Sequence, residues 1–244
     1  MNDTELARQI AETAGRILME LRSSGMFAGK ELGQAGDELA NAFIMRALRR
    51  NRPDDAILSE EERDNSARLS ASRVWIVDPL DGTREYGEAR ADWAVHVALA
   101  IDGTATLGAV ALPGLPLTLS SDDQLSRPHH SGRLRMLVSR TRPAAEAVAV
   151  AEALGAELVP MGSAGAKAMA VVRGEADIYL HSGGQYEWDS CAPVAVAQAA
   201  GLHVSRIDGS PLRYNQRDTL LPDLLVCPKE HAARVIELTA QHHG

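Results

Sequence analysis

Apolar residues near the start of the chain recur at helical spacing. Leu6, Ile10, Ile17 and Leu21 follow this spacing, which predicts an amphipathic helix from Thr4, as its cap, to about Leu21. The stretch GKELGQAG that follows contains three glycines and predicts a loop. A second helix is predicted from Asp37 to Arg50. Four of its apolar residues are expected to face the core: Leu39, Phe43, Ala47 and Leu48.

Further along, continuous apolar runs predict buried strands. AILSEE indicates a short strand that ends at acids, and RVWIVD a strand with two apolar faces. Two more runs meet at Asp102-Gly103, a dipeptide typical of a β-hairpin turn. After the loop-like SSDDQLSRPHHSGR, strands alternate with helices, which favours an α/β layer. We therefore expect an α+β subdomain over residues 1–130 and an α/β subdomain over residues 131–244.

Composition restricts the class of protein. The 244 residues are 45% hydrophobic and 24% charged, as in a globular protein. The net charge of −8 argues against a nucleic-acid polymer as partner, although bound metals can reverse the charge locally. Cys191 and Cys227 form no zinc-type pattern, so two reduced thiols are expected. The N-terminus lacks signal-peptide features and no apolar run has the length of a membrane span, so we expect a cytoplasmic protein without a membrane partner.

A candidate reactive site lies in VWIVDPLDGTREY, where a predicted strand ends at two aspartates. Pro79 biases Asp78 to an extended conformation, and Gly82 allows a tight turn after Asp81. Both carboxylates can then converge beyond the strand, where their oxygens suit a hard cation such as Mg²⁺. The N–H groups of Gly82 and Thr83 could cradle phosphate. The alternative is a solvated loop, because Asp-Pro and Asp-Gly are common turn pairs.

Two further acidic positions extend this hypothesis. Glu60 ends another predicted strand in LSEE, and Asp189 starts a predicted helix in YEWDSCAP. Each has an ordinary alternative. Asp189 could be a helix N-cap, and Glu60 with Glu61 could form a surface acidic run.

SEE, DPLDGT and WDSCAP, in this order and spacing, resemble the motifs of the inositol monophosphatase superfamily of metal-dependent, lithium-sensitive phosphatases. The resemblance extends over nearly the whole chain, including GSAGAK and GEADIYL. It implies a five-layered αβαβα sandwich of the sugar-phosphatase type, a homodimer, and two or three Mg²⁺ ions per site, with inhibition by Li⁺. The implied metal ligands are Glu60, Asp78, Asp81, Asp189 and the carbonyl of Leu80.

The resemblance also implies catalytic and substrate roles. Glu60 and Thr83 would orient the attacking water, and Asp37 would support that water and a further metal. Family members usually carry a threonine shortly before this acid, whereas GQAGDE has none, which weakens the expected third metal site. The residues expected to contact the substrate or its phosphate are Leu80, Asp81, Gly82, Thr83, Lys167, His181 and Asp189.

Two of these motifs also suggest a particular substrate. DGTREY and GSAGAK resemble the CysQ-type branch, which removes the 3′-phosphate of 3′-phosphoadenosine 5′-phosphate in connection with sulfate assimilation, although GSAGAK is one residue longer than the branch's spacing. Action on the related 5′-phosphosulfate is a further expectation. His181 would lie near a second phosphate, or be a polar residue at a strand end. Lys167 matches the lysine of this branch and could be part of the pocket, a residue with a structural role near the site, or a surface residue whose stem packs on apolar groups. SPLRYNQ could supply nucleotide contacts from Arg213, Tyr214 and Asn215, or be a solvated loop.

Other functions stay open at this stage. Phosphatase activity on inositol 1-phosphate or fructose 1,6-bisphosphate is the main alternative, and a catalytically silent nucleotide-binding relative is a remote one. The haloacid-dehalogenase phosphatases place their acids two residues apart, whereas Asp78 and Asp81 are three apart. The remaining histidines, including His96 within an apolar strand and His129 and His130 in the loop, are interpreted as structural or solvent-exposed.

Overall fold

The computed structural model describes residues 1–125 and 132–243. Two long helices form the first layer, α1 (Asp3–Ser23) and α2 (Gly29–Asn51). The first matches the predicted helix, but its cap is Asn2 rather than Thr4. The Asn2 side chain accepts a hydrogen bond from the Glu5 N–H, and the Glu5 carboxylate accepts one from the Asn2 N–H. This reciprocal pair satisfies two N–H groups at the start of the helix.

The predicted loop GKELGQAG is wrong, because α2 already begins at Gly29. Gly33 and Gly36 mark close packing instead of a turn. A Cβ on Gly33 would lie 2.6 Å from Thr83 Cγ2, and one on Gly36 would lie 3.0 Å from both Leu18 and Tyr86. The predicted inward face is also partly wrong, since Leu39 is 44% exposed. The buried apolar residues of the later turns are Ala40, Ile44, Met45 and Leu48.

The second layer is a five-stranded sheet in the order β1-β2-β3-β4-β5. The first two strands are parallel and the remaining pairs antiparallel. The hairpin at Asp102-Gly103 is confirmed, with positive φ at both residues. The strands are β1 (Ala56–Ser59), β2 (Arg73–Asp81), β3 (Ala94–Ile101), β4 (Thr104–Leu112) and β5 (Leu117–Ser120).

A second five-stranded sheet is built from the later part of the chain, in the order β7-β6-β8-β10-β9. Its central strand β8 is parallel to β6 and antiparallel to β10. The predicted alternation of strands and helices is confirmed here, although β9 is an addition. The strands are β6 (Arg135–Ser139), β7 (Glu157–Met161), β8 (Ile178–Tyr186), β9 (His203–Ser205) and β10 (Leu220–Cys227).

Helices complete the layers. The pair α5 (Ala164–Val172) and α6 (Glu187–Ala199) packs between the two sheets, while α4 (Ala145–Leu154) and α7 (Lys229–His243) cover the outer face of the second sheet. With α1 and α2 on the outer face of the first sheet, the order is αβαβα, which confirms the predicted five-layered sandwich. A short helix α3 (Thr83–Gly87) follows β2 directly.

The predicted subdomain boundary near residue 130, like His129 and His130, lies outside the described residues, and the division into two subdomains stays a prediction. Within the described part of the chain, none of the helices combines the length and the apolar character that crossing a membrane requires.

Candidate metal and phosphate site

Two aspartates converge at the end of β2. The strand does not stop at Pro79, as the sequence suggested; a bulge between Asp78 and Asp81 lets pairing with β3 resume at Asp81. The Leu80 N–H inside the bulge donates to Asp78 Oδ1 at 3.0 Å. This turn brings both carboxylates to one place, which is the convergence that the sequence predicted.

Asp189 joins them from the first turn of α6. One carboxylate oxygen from each of Asp78, Asp81 and Asp189 lies within 4.8 Å of the others. Asp189 is not the N-cap that the sequence offered as an alternative, because α6 begins at Glu187 with Tyr186 as its N-cap. Asp189 lies three residues after that cap, and its side chain accepts a hydrogen bond of 2.6 Å from the Tyr186 N–H.

Glu60 follows β1 and lies next to the same cluster. Its N–H donates to the Val77 carbonyl at 3.3 Å, which places it beside the parallel strand β2. Burial raises the pKa of Glu60, and repulsion from Glu61 and Asp81 acts in the same direction. Glu60 and Glu61 are both exposed, so the alternative of a surface acidic run stays open, and the role of Glu60 as a metal ligand stays a prediction.

The electrostatics of this cluster call for cations. Burial, followed by repulsion from Glu60 and Asp81, raises the pKa of Asp78 well above its usual value. Burial and repulsion from Asp81 raise the pKa of Asp189 to about 7. Without a positive charge nearby, these buried carboxyl groups favour their protonated form. Divalent cations among them would stabilise the ionised form instead. The all-oxygen donor set fits Mg²⁺.

Asp37 approaches the cluster from α2. Its Oδ2 lies 3.2 Å from the Thr83 hydroxyl, and its buried Oδ1 has no partner among the described residues. Burial, then repulsion from Glu61 and Glu60, raises the pKa of Asp37 to about 8. An orphaned buried carboxylate oxygen beside an acidic cluster fits a further cation or an ordered water.

Gly82 and Thr83 form the turn that leads into α3. Gly82 has φ +89°, and a Cβ there would lie 3.1 Å from Ser163 Cβ, so both conformation and space require glycine. The Thr83 hydroxyl lies 3.1 Å from the Leu80 carbonyl oxygen and 3.2 Å from Asp37, and can donate to either. The sequence-predicted phosphate contacts thus border the acidic cluster.

Asp81 is surrounded by donors from α5. Ser163 donates its hydroxyl to Oδ2, the Ala164 N–H donates to Oδ1 at 3.1 Å, and the Gly165 N–H donates to Oδ2 at 2.6 Å. His96 Nε2 lies 3.2 Å from Oδ2. Burial acts to raise the pKa of Asp81, but His96 and these donors overcome it and lower the pKa to about 2.

The sequence interpretation missed the position of His96. This residue is fully buried, yet it faces the acidic cluster from the strand that pairs with β2. Its Nδ1 lies 3.0 Å from the Trp188 carbonyl oxygen at the start of α6. One polar residue in an otherwise apolar strand, opposite DPLD, was the available signal.

Lys167 and His181 lie on neighbouring elements of the second half. Lys167 is 5% exposed; its Nζ donates to the Gly162 and Ser163 carbonyl oxygens at 2.8 and 2.7 Å. Burial lowers the pKa of Lys167 to about 8 and also lowers the pKa of His181, whose Nε2 lies 2.7 Å from the Gly183 carbonyl oxygen. Their contact with a substrate stays a prediction.

A cavity of about 300 Å³ adjoins Ser163. Its lining includes three cationic residues, Arg84, Arg140 and Lys167, together with Glu85 and Ser139. By contrast, the suggested nucleotide contact of Tyr214 is wrong. That side chain is 1% exposed, with its hydroxyl 3.1 Å from Ser190 Oγ, so it packs inside the protein.

Comparisons with known proteins agree with this geometry. The inositol monophosphatase family model matches residues 2–243. The chain is 49% identical over 242 residues to the 3′-phosphoadenosine 5′-phosphate phosphatase of Mycobacterium leprae (strain TN), covering 93% of this chain and 89% of that protein. It is 32% identical over 199 residues to the 3′(2′),5′-bisphosphate nucleotidase CysQ of Escherichia coli (strain K12), covering 77% and 81%.

Solved structures show the same architecture. The CysQ structure from Bacteroides thetaiotaomicron superposes with a TM-score of 0.81 and 25% identity, covering 93% of this chain and 97% of that one. Inositol monophosphatase-II from Staphylococcus aureus MSSA476 gives a TM-score of 0.81 at 19% identity, covering 98% and 96%, and this likeness concerns the fold alone.

Proposed function

The chain belongs to the inositol monophosphatase family, and we propose that it is a Mg²⁺-dependent phosphatase that removes the 3′-phosphate of 3′-phosphoadenosine 5′-phosphate. The observation that carries the reaction type is the convergence of Asp78, Asp81 and Asp189 within 4.8 Å, beside the Gly82-Thr83 turn. The relatives that are named for this substrate, at up to 49% identity, support the choice of ester.

In this proposal some residues of the site bind the metal ions and others orient the attacking water. Asp78, Asp81, Asp189 and Glu60 would hold the cations, together with the Leu80 carbonyl. Bound Mg²⁺ would lower the pKa of a water and neutralise charge on the leaving oxygen. The Thr83 hydroxyl lies between Asp37 and the Leu80 carbonyl and would orient the attacking water. A proton released by that water would pass through the Thr83 hydroxyl to Asp37 Oδ2, which lies 3.2 Å from it.

The reaction is a hydrolysis with direct attack. The water oxygen forms a bond to phosphorus, the bond between phosphorus and the 3′ oxygen breaks, and a proton reaches that oxygen. The products are inorganic phosphate and adenosine 5′-phosphate. No side-chain nucleophile is needed, because the carboxylates of the cluster are committed to cations and to each other.

Selectivity for a second phosphate would come from the cationic cavity next to Ser163. Arg84, Arg140 and Lys167 line it, and Ser139 adds a hydroxyl. Arg140 is paired with Glu85 and Glu88 at 2.8 Å, so the cavity is not uniformly positive. A phosphate dianion would compete with these carboxylates, whereas a neutral polyol would gain little from guanidinium groups.

An aromatic surface beside Asp189 also favours a nucleotide. The Tyr186 ring is 42% exposed and lies parallel to the Trp188 ring, with 4.9 Å between centroids and 9° between planes. Stacking of a base on an aromatic side chain contributes about 1–3 kcal/mol. This surface distinguishes the nucleotide hypothesis from the inositol 1-phosphate and fructose 1,6-bisphosphate alternatives, for which it has no use.

We also propose that the protein is a homodimer, as the resemblance to its family implies, and that Li⁺ inhibits it. Consumption of 3′-phosphoadenosine 5′-phosphate would follow reactions that transfer or reduce activated sulfate, since these release the bisphosphorylated nucleotide. Light scattering during gel filtration tests the dimer directly: a mass near 26 kDa, that of one chain, would contradict it.

Product identification tests the proposed reaction. The enzyme is incubated with 3′-phosphoadenosine 5′-phosphate and Mg²⁺, and the products are assigned by ³¹P NMR. Adenosine 5′-phosphate and one equivalent of inorganic phosphate are expected, with no turnover in EDTA. Formation of adenosine 3′-phosphate, or equal turnover in EDTA, would contradict the proposal.

A further inference from the structure

His96 connects two of the elements that carry acidic residues of the site. It lies in the middle of the first sheet, where β3 pairs with β2 and Asp78 is its register partner. Its imidazole has no exposed surface, and its two nitrogens face oxygens on different elements. Nε2 lies 3.2 Å from Asp81 Oδ2, and Nδ1 lies 3.0 Å from the carbonyl oxygen of Trp188, the residue before Asp189.

Space for this imidazole depends on Gly165 in the first turn of α5. A Cβ at this position would lie 2.0 Å from His96 Nε2, well inside the contact distance of any two atoms. The Gly165 N–H itself donates to Asp81 Oδ2 at 2.6 Å. The glycine therefore lets the helix end and the imidazole approach the same carboxylate oxygen, and any side chain at residue 165 would displace one of them.

We propose that His96 is a positioning residue for the metal site, which holds Asp81 in its ligating orientation and fixes its distance from Asp189. The imidazole joins β2 to the start of α6, and Gly165 is the residue that makes room for it. The inference rests on the proposed metal binding and goes beyond it by assigning a residue that is not itself a ligand.

The expected loss of metal affinity follows from what is typical of residues that orient metal ligands. Loss of such a partner typically weakens metal binding or activity by about 10–100-fold. Glutamine can place its amide nitrogen close to the position of His96 Nε2 and so keep a donor towards Asp81. Leucine has a similar size to the imidazole but offers no donor. The pair His96→Gln and His96→Leu thus separates the polar contact with Asp81 Oδ2, 3.2 Å from the imidazole, from simple filling of the core.

Metal binding without substrate is the direct test. Mn²⁺, used as a spectroscopic substitute for Mg²⁺, is titrated into metal-free protein, and free Mn²⁺ is followed by electron paramagnetic resonance. We expect His96→Leu to raise the dissociation constant by about 10–100-fold and His96→Gln by about threefold or less. The matched control is His203→Leu in β9, where the imidazole bonds Ser205 on the far sheet; its dissociation constant should equal that of wild type.

Gly165→Ala gives a second, independent measurement. In the wild-type background the new methyl collides with His96 and should weaken Mn²⁺ binding about tenfold or more. In a His96→Ser background the same change meets no imidazole and should have a much smaller effect. Thermal unfolding in EDTA verifies that each variant is folded.

The outcomes separate this inference from the proposed function. Failure of the wild-type protein to bind Mn²⁺ would contradict the metal-dependent reaction itself. Normal wild-type binding, with an unchanged dissociation constant in folded His96→Leu and an equal effect of Gly165→Ala in both backgrounds, would overturn the positioning role alone.

Discussion

Replacement of Asp78 by asparagine should have opposite effects on activity and on the stability of the metal-free protein. Asp78 is 1% exposed, and its Oδ1 accepts from the Leu80 N–H, a bond that an asparagine Oδ1 can keep. The substitution therefore removes a charge from the cluster with little change in shape. Loss of a ligand should reduce kcat by about three orders of magnitude or more, since each metal contributes several kcal/mol of transition-state stabilisation.

The gain in stability can be worked from the spacing of the cluster. Two ionised carboxylates whose oxygens are 4.8 Å apart repel by about 3.5 kcal/mol at an effective dielectric constant of 20. The protein avoids part of this repulsion by binding protons, as the raised pKa of Asp78 indicates. A net gain of about 2–3 kcal/mol in the free energy of unfolding is expected, which for a chain of this size corresponds to roughly 5–10 °C in Tm.

The gain should grow with pH, and its sign follows from linkage. Burial holds the pKa of Asp78 above its unfolded value, so the folded metal-free protein binds more protons than the unfolded chain. The free energy of unfolding of the metal-free protein must therefore fall as pH rises. The fall begins near pH 4, the pKa of an aspartate in the unfolded chain, and is complete above the raised pKa of Asp78 in the folded protein. Asp189, with a pKa of about 7, contributes in the same direction. The asparagine variant lacks the Asp78 part of this loss, so its advantage should be larger at pH 8 than at pH 5.

Differential scanning calorimetry in EDTA at pH 5 and pH 8 measures the effect, with a parallel scan in Mg²⁺. The control is Asp223→Asn, because Asp223 is a buried partner of Arg206 outside the cluster and its loss should destabilise the protein with or without Mg²⁺. An Asp78→Asn variant that is less stable than wild type in EDTA at pH 8, or that keeps more than a tenth of wild-type activity at saturating Mg²⁺, would refute the reasoning.

Three further predictions concern ligands. His181→Ala should raise KM for 3′-phosphoadenosine 5′-phosphate about tenfold more than KM for inositol 1-phosphate, because a hydrogen bond to a charged phosphate contributes about 1.5–3 kcal/mol; equal changes in steady-state KM would leave His181 a structural role. Tyr186→Ala should raise KM for the nucleotide about fivefold or more while Tyr186→Phe stays near wild type, since stacking needs only the ring; loss in both variants would contradict stacking. Li⁺ should inhibit uncompetitively in initial-rate measurements, because it is similar in size to Mg²⁺ with half the charge and enters a site completed by phosphate; purely competitive inhibition would contradict this.

Local patterns in the sequence predicted most of the fold. The helix from Thr4, the hairpin at Asp102-Gly103 and the alternation after residue 132 depend on periodicity and turn chemistry within a few residues of chain. The convergence of Asp78 and Asp81 was likewise predictable, because both belong to one turn. Family resemblance then supplied the partners from distant segments.

Features that depend on contacts between distant segments were not predictable. Gly33 and Gly36 indicated a loop, but they lie where α2 meets Thr83 and Tyr86, so glycine there reflects close packing. The contact of His96 with Asp81 and with the Trp188 carbonyl likewise depends on a glycine at residue 165, far along the chain. A single sequence does not reveal which distant residue a buried histidine will face.

The most direct test of the proposed function is a comparison of specificity constants with Mg²⁺ as the only divalent cation. The kcat/KM values for 3′-phosphoadenosine 5′-phosphate, inositol 1-phosphate and fructose 1,6-bisphosphate are measured side by side on one enzyme preparation. We predict that the value for the nucleotide exceeds that for inositol 1-phosphate by about two orders of magnitude, as expected if the stacking surface and the second phosphate each contribute about 1.4 kcal/mol. It should exceed the value for fructose 1,6-bisphosphate, which also has a second phosphate, by about one order of magnitude from stacking alone. A higher value for either sugar-type phosphate would contradict the assignment.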